Sequence, residues 1–165
     1  MPGEDMVRVR NEAVDAFSRA KRYETEEDYA SAITAYEEAM AYEGLHDSAY
    51  YKIGRCYALS GKWEQARQVF NDIAAKDPAN ETICESLAYV YAMEGNYASA
   101  LQLYEALVDE TPYSASVLKS YIKVLAADGQ KERATEEFSR FQSTFPTEMD
   151  SIKELNALLT AGKDD

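Results

Sequence analysis

Between residues 48 and 60, apolar and small residues fall at Tyr50, Ile53, Gly54 and Tyr57, the i, i+3, i+4, i+7 stripe of one helix face. Gly61 interrupts it as a turn. A second stripe follows at Ala66, Val69, Phe70 and Ile73 with the same spacing. Asp77-Pro78 ends that second helix, because the residue before a proline is pushed out of the helical region. Gly54 and Ala66 let the two helices approach closely, while Tyr57 and Phe70 fill the space beside them. The pattern predicts a helix hairpin with one apolar seam.

The hairpin recurs. Gly61-Lys62-Trp63-Glu64-Gln65-Ala66 is followed 34 residues later by Gly95-Asn96-Tyr97-Ala98-Ser99-Ala100, and again by Gly129-Gln130-Lys131-Glu132-Arg133-Ala134. One step back stands Glu27-Asp28-Tyr29-Ala30-Ser31-Ala32. Tyr36, Phe70, Tyr104 and Phe138 keep the same interval, as do Pro78, Pro112 and Pro146, with Gly44 in the equivalent earlier place. Four gapless windows result: 13–46, 47–80, 81–114 and 115–148. A single hairpin cannot bury its apolar face, so such units must stack on their neighbours.

The period and its fixed positions resemble the tetratricopeptide repeat (TPR) family. Ile53, Gly54, Tyr57, Ala66, Phe70 and Pro78 carry the resemblance in the second window, and Leu87, Ala88, Tyr91, Ala100, Tyr104 and Pro112 in the third. The first window departs at Gly44, where Pro is usual, and at Glu27, where Gly is usual. The fourth departs at Ile122, where a small residue is usual, and at Leu125, where Tyr is usual, so looser hairpin packing is expected there. The resemblance implies an all-α fold, a right-handed superhelical solenoid of four antiparallel helix pairs with a C-terminal capping helix. Trp63, early in a second helix, has Tyr29 and Tyr97 as its equivalents and is expected to pack.

Residues 1–12 form a polar lead expected to fray or to extend the first helix. After Pro146, Ile152, Leu155, Leu158 and Leu159 recur at helical spacing, which predicts a capping helix over 149–160 with Asp150 or Ser151 as N-cap and a polar face of Lys153, Glu154 and Asn156. Residues 161–165 are expected to be a disordered tail.

Charge narrows the partners. The chain of 165 residues carries 17 Lys and Arg against 30 Asp and Glu, a net charge of −13. Phosphate backbones and anionic lipid surfaces repel such a chain, so neither nucleic acid nor membrane is an expected partner. No run approaches the length of a membrane span and no secretory signal opens the sequence, which points to the cytoplasm. Cys56 and Cys84 are too few for a disulfide framework and are expected to be buried. His46, the single histidine, lies in the Gly44-Leu45-His46-Asp47 junction and reads as a solvated loop residue. The run Glu24-Thr25-Glu26-Glu27-Asp28 lacks the spaced ligands of a calcium loop and reads as a solvated acidic turn. No nucleophile, phosphate-loop or zinc motif occurs, so an enzyme is not expected, nor a cofactor or metal.

Binding is what remains. In TPR proteins the first helix of each hairpin lines a concave groove, and its groove-facing residues flank the packing stripe. The candidates are Phe17 and Lys21 in the first window, Tyr51, Lys52 and Arg55 in the second, Glu85 and Tyr89 in the third, and Lys119 and Lys123 in the fourth. Across the 24 flanking positions of the four first helices, five cations stand against Glu24 and Glu85, net +3, which leaves −16 elsewhere. A basic strip in an acidic shell suits an acidic protein segment or peptide, with Phe17, Tyr51 and Tyr89 as aromatic contacts. Lys119 and Lys123 resemble the basic pair with which chaperone-binding TPR proteins hold a terminal carboxylate. The asparagines of that clamp are missing, since Phe17, Lys21, Tyr51, Arg55, Glu85 and Tyr89 stand there. The alternative is a structural assembly module that uses the convex face or the edges, and homo-oligomerisation stays open.

Overall fold

A computed structural model describes residues 2–110 and 114–161. Pro112, expected to close the third hairpin, and the tail residues 162–165 lie outside the described residues. The helices are α1 (Pro2–Thr25), α2 (Tyr29–Ala39), α3 (Glu43–Leu59), α4 (Trp63–Lys76), α5 (Glu81–Met93), α6 (Tyr97–Glu110), α7 (Ala115–Ala127), α8 (Lys131–Thr144) and α9 (Met149–Thr160). There is no strand among the described residues, so the fold is all-α. The lead belongs to α1 from Pro2 onward.

The chain divides into two compact units, residues 1–78 and 79–165. In the first, α1 packs on α2, α2 on α3, and α3 on α4. Its core joins Ala13, Ala16 and Ala20 of α1 to Ala32, Ala35 and Tyr36 of α2, Ile53 and Cys56 of α3, and Ala66 and Phe70 of α4. The small residues set the helix separation. A Cβ added at Gly54 would stand 2.8 Å from both the Phe70 ring and Val69 Cγ1. In the second unit α5, α6, α7 and α8 pack in sequence, and α9 lies on α7 and α8. The 34-residue register is visible in burial: Ala32, Ala66, Ala100 and Ala134 are all fully enclosed, and so is Leu155, which continues the series Ile53, Leu87, Tyr121.

One turn geometry joins the helices of every hairpin. The N–H of Lys62, Asn96 and Gln130 donates back to the carbonyl of Tyr57, Tyr91 and Leu125 at 2.8, 2.9 and 2.9 Å, the longer closure of a Schellman motif. The residue before each is a glycine in the left-handed region, with φ of 76°, 80° and 82° at Gly61, Gly95 and Gly129. The first hairpin makes the same closure from Asp28 N–H to Tyr23 at 2.9 Å, and there Glu27 takes the left-handed conformation at φ 58°. Its departure from glycine therefore leaves the turn unchanged and places a side chain where L-residues are strained.

Three local expectations are corrected. Gly44-Leu45-His46-Asp47 is the first part of α3 and not a loop, because no proline delays the helix and it starts four positions ahead of the register that α5 and α7 follow. His46 thus stands on a helix, with Nδ1 3.2 Å from Asp47 Oδ1 and its ring 6.3 Å from that of Tyr50. The N-cap of α9 is Glu148, without a side-chain bond, in place of Asp150 or Ser151. Ile122 and Leu125 are fully buried, with α9 packed over α7, while α7 and α8 are the least extensively packed of the four helix pairs, in keeping with a looser last hairpin. Of the two cysteines only Cys56 is buried; Cys84 is partly exposed.

Candidate functional site

Many of the flanking residues of the first helices have partners within the chain. In the first unit the Phe17 ring meets the Tyr36 ring edge-on, with centroids 5.2 Å apart, and the Tyr51 ring lies 6.0 Å from Phe70. Both aromatics are half-buried, so they extend the hairpin core as much as they offer a surface. The Lys21 ammonium sits 6.0 Å above the Phe17 ring, which steers it along α1. Lys52 is half-buried on α3.

Glu24 corrects the solvated-turn reading. Its side chain is only 13% exposed, it accepts the hydroxyl hydrogen of the buried Tyr36, and Arg55 Nε approaches to 3.7 Å. Burial, followed by the hydrogen bond to Glu24, pushes the Tyr36 hydroxyl well above its ordinary range. The hydroxyl of Tyr36 supplies this enclosed carboxylate with a hydrogen bond, and the half-exposed Arg55 adds a charge contact between α3 and α1. Reversal of Arg55 to Glu would put two carboxylates together at a packed seam.

The second unit holds the tightest cluster. Lys119 and Lys123 lie one turn apart on α7, which stacks their side chains on one face. Their ammonium groups converge on a single carboxylate, Glu154 of α9: Lys119 Nζ is 2.5 Å from Oε2, and Lys123 Nζ 2.6 Å from Oε1. The hydrogen bonds from Lys119 and then Lys123 hold the Glu154 carboxyl down at about 2. On α5, Glu85 is partly buried, with Oε1 3.5 Å from Ser116 Oγ, and Tyr89 and Met93 are each 49% exposed one turn apart. Glu85, Lys119, Lys123 and Glu154 together carry no net charge, so this face is not the bare basic strip expected from the first helices alone.

Sequence reasoning misses Glu154 because the apolar spacing of α9 predicts a cap with a solvated polar face. The signal was present. Glu154 lies 34 residues after Ser120, 68 after Ser86 and 102 after Lys52, so α9 continues the register of a first helix and presents the same flank. Among the described residues, no group of three or more His, Cys, Asp or Glu could hold a metal ion, and no helix is long and apolar enough to cross a membrane.

Comparison with known proteins agrees with the repeat geometry. Residues 25–83 and 85–115 each match a family model described as Tetratricopeptide repeat, and together they span more than half of the chain. No curated protein matches the sequence. Among solved structures, a MamA chain (41-end) of Desulfovibrio magneticus RS-1 superposes with a TM-score of 0.78 at 21% identity, covering 93% of this chain and 86% of that one. A tetratricopeptide repeat protein from Parabacteroides merdae ATCC 43184 gives 0.78 at 19% identity, covering 91% of this chain and 59% of that one. YrrB, described as a TPR protein with an unusual peptide-binding site, gives 0.67 at 18% identity, covering 92% of this chain and 78% of that one. With the 34-residue register, the recurring left-handed turn and the two family matches in agreement, the chain belongs to the tetratricopeptide repeat family and folds as an all-α solenoid.

Proposed function

We propose that this protein is a non-catalytic interaction module that binds an acidic segment of a partner protein on the first-helix face of its second unit. One observation carries the reading: Lys119 and Lys123 are spaced so that a single carboxylate engages both ammonium groups, at 2.5 and 2.6 Å. Such charge-assisted contacts are the stronger class of hydrogen bond, and an acidic side chain or phosphate is the chemistry that fits them. The exposed Tyr89 and Met93 on α5 supply apolar contact of the kind enriched at binding hot spots. The acidic remainder of the chain repels wrong partners and confines an anionic segment to these lysines. YrrB, a neighbour of the same fold, is described by its peptide-binding site, which is consistent with this use of the scaffold.

Fluorescence anisotropy with a labelled deca-glutamate peptide tests the reading. Wild type should bind with an affinity that weakens as salt rises, and Lys119→Glu with Lys123→Glu should abolish binding while the helical circular dichroism stays unchanged. Binding that survives the double reversal would overturn it.

An assembly role has one specific observation in its favour. Met6, Val7 and Val14 of α1 are 71, 56 and 45% exposed, an apolar surface that an oligomer would cover. Light scattering after size exclusion distinguishes the two: a monomer of 18.5 kDa at high protein concentration excludes self-assembly through α1.

A further inference from the structure

Glu154 stands where a ligand carboxylate would stand. It is not part of the apolar core that anchors α9: Leu155 is fully buried, with Ile152 and Leu159 packed against the same core. Glu154 instead projects beside that apolar stripe, 47% exposed, and reaches the lysines through its terminal oxygens alone. Nothing in the packing of α9 requires an acid at this position, because the equivalent flank residues in earlier windows are Lys52, Ser86 and Ser120.

We infer that Glu154 is a built-in competitor, an acidic side chain of the chain itself that occupies the Lys119–Lys123 pair and must be exchanged for the carboxylate of an acidic partner peptide. The inference rests on the binding reading above and adds a threshold to it. The gate is a side chain and not a helix. A few rotations about the Glu154 side-chain bonds vacate both ammonium groups while Leu155 keeps α9 docked. The exchange is anion for anion, so the two lysines are never left without a counter-charge, and a partner gains only the difference between its own contacts and those of Glu154. A single acidic group therefore competes poorly. A segment with several acidic residues, which can touch the lysines repeatedly and also reach Tyr89 and Met93, displaces Glu154.

Glu154→Gln is the direct test, since glutamine keeps the length and the helix preference of the side chain and removes the charge. Titrated with the labelled deca-glutamate peptide, E154Q should bind about three- to tenfold more tightly than wild type, the range expected for release of two exposed ion pairs. In the background of Lys119→Gln and Lys123→Gln, the same substitution should change nothing. Equal affinity of wild type and E154Q, with the lysine double variant weakened, overturns the competitor and leaves the binding face standing. Equal affinity of wild type and the lysine double variant overturns the binding face itself. A second readout follows the wild-type protein: the side-chain carboxyl carbon resonance of Glu154, assigned by its loss in E154Q, should move as the peptide saturates it. A resonance that stays fixed at saturation overturns the exchange, whatever E154Q does to stability.

Discussion

Glu27 occupies a turn position that the other three hairpins fill with glycine, and this makes a reciprocal stability experiment possible. At φ 58° an L-residue is disfavoured by about 1–2 kcal/mol relative to a right-handed conformation. Glycine removes that strain but also gives the unfolded chain more freedom, which returns about 0.4–1 kcal/mol. Glu27 is exposed, and only its backbone serves the turn, with N–H donating to Glu24 at 3.0 Å. Glu27→Gly should therefore stabilise the first hairpin by about 0.5–1 kcal/mol. The converse is Gly95→Ala. A Cβ there meets nothing within 4 Å, so crowding plays no part, and the φ of 80° alone should destabilise by a similar amount. Urea unfolding followed by the fluorescence of Trp63 reports on the first unit, which contains Glu27, while far-ultraviolet dichroism follows the whole chain. The midpoint of the Trp63 transition should rise in E27G, with a thermal midpoint about 2–4 °C higher per kcal/mol for a chain of this length. If E27G leaves that midpoint unchanged or lower while G95A is destabilised as expected, strain at Glu27 is not what distinguishes the first turn.

Ala100 is fully enclosed at the α6 position of the 34-residue ladder, so Ala100→Leu should cost about 1–3 kcal/mol by overpacking, read as a lower denaturation midpoint. The Glu154 carboxyl is held near 2 by Lys119 and Lys123 against an ordinary 4.5, so its contact contributes stability above pH 4.5 that is lost as pH falls towards 2. The thermal midpoint of wild type should accordingly fall faster than that of Glu154→Gln across this window, and parallel losses would count against the contact. Burial pushes the Cys56 thiol up to about 12 and the side chain is fully enclosed, so a thiol-specific reagent should modify Cys84 alone in native protein and reach Cys56 only after unfolding.

The repeat was legible because its signals are local and recur. Ala32, Ala66, Ala100 and Ala134 announce the close helix contacts, and Gly61, Gly95 and Gly129 announce the turns. What stayed hidden depends on neighbours in space. Glu24 sits in a run of acids that looks like a solvated turn, and only the placement of Tyr36 and Arg55 around it shows why one carboxylate of that run is enclosed. The flank rule singles out Lys119 and Lys123 of α7, yet a rule applied helix by helix cannot show that Glu154 of α9 neutralises them. The early start of α3 was hidden for another reason: a missing proline leaves no mark of its own, and a helix continues backwards until something stops it.

The continuation of the register into α9 has a consequence for how such a chain changes over generations. Glu154, at the flank position of α9, faces the lysines of α7. In this sequence that position passes through Lys52, Ser86, Ser120 and Glu154. A single codon at that place decides whether the preceding surface is left open or supplied with its own acid. Sensitivity to a partner can thus be retuned by point mutation at a seam already built, without any alteration to the fold, the turns or the helix that carries the change.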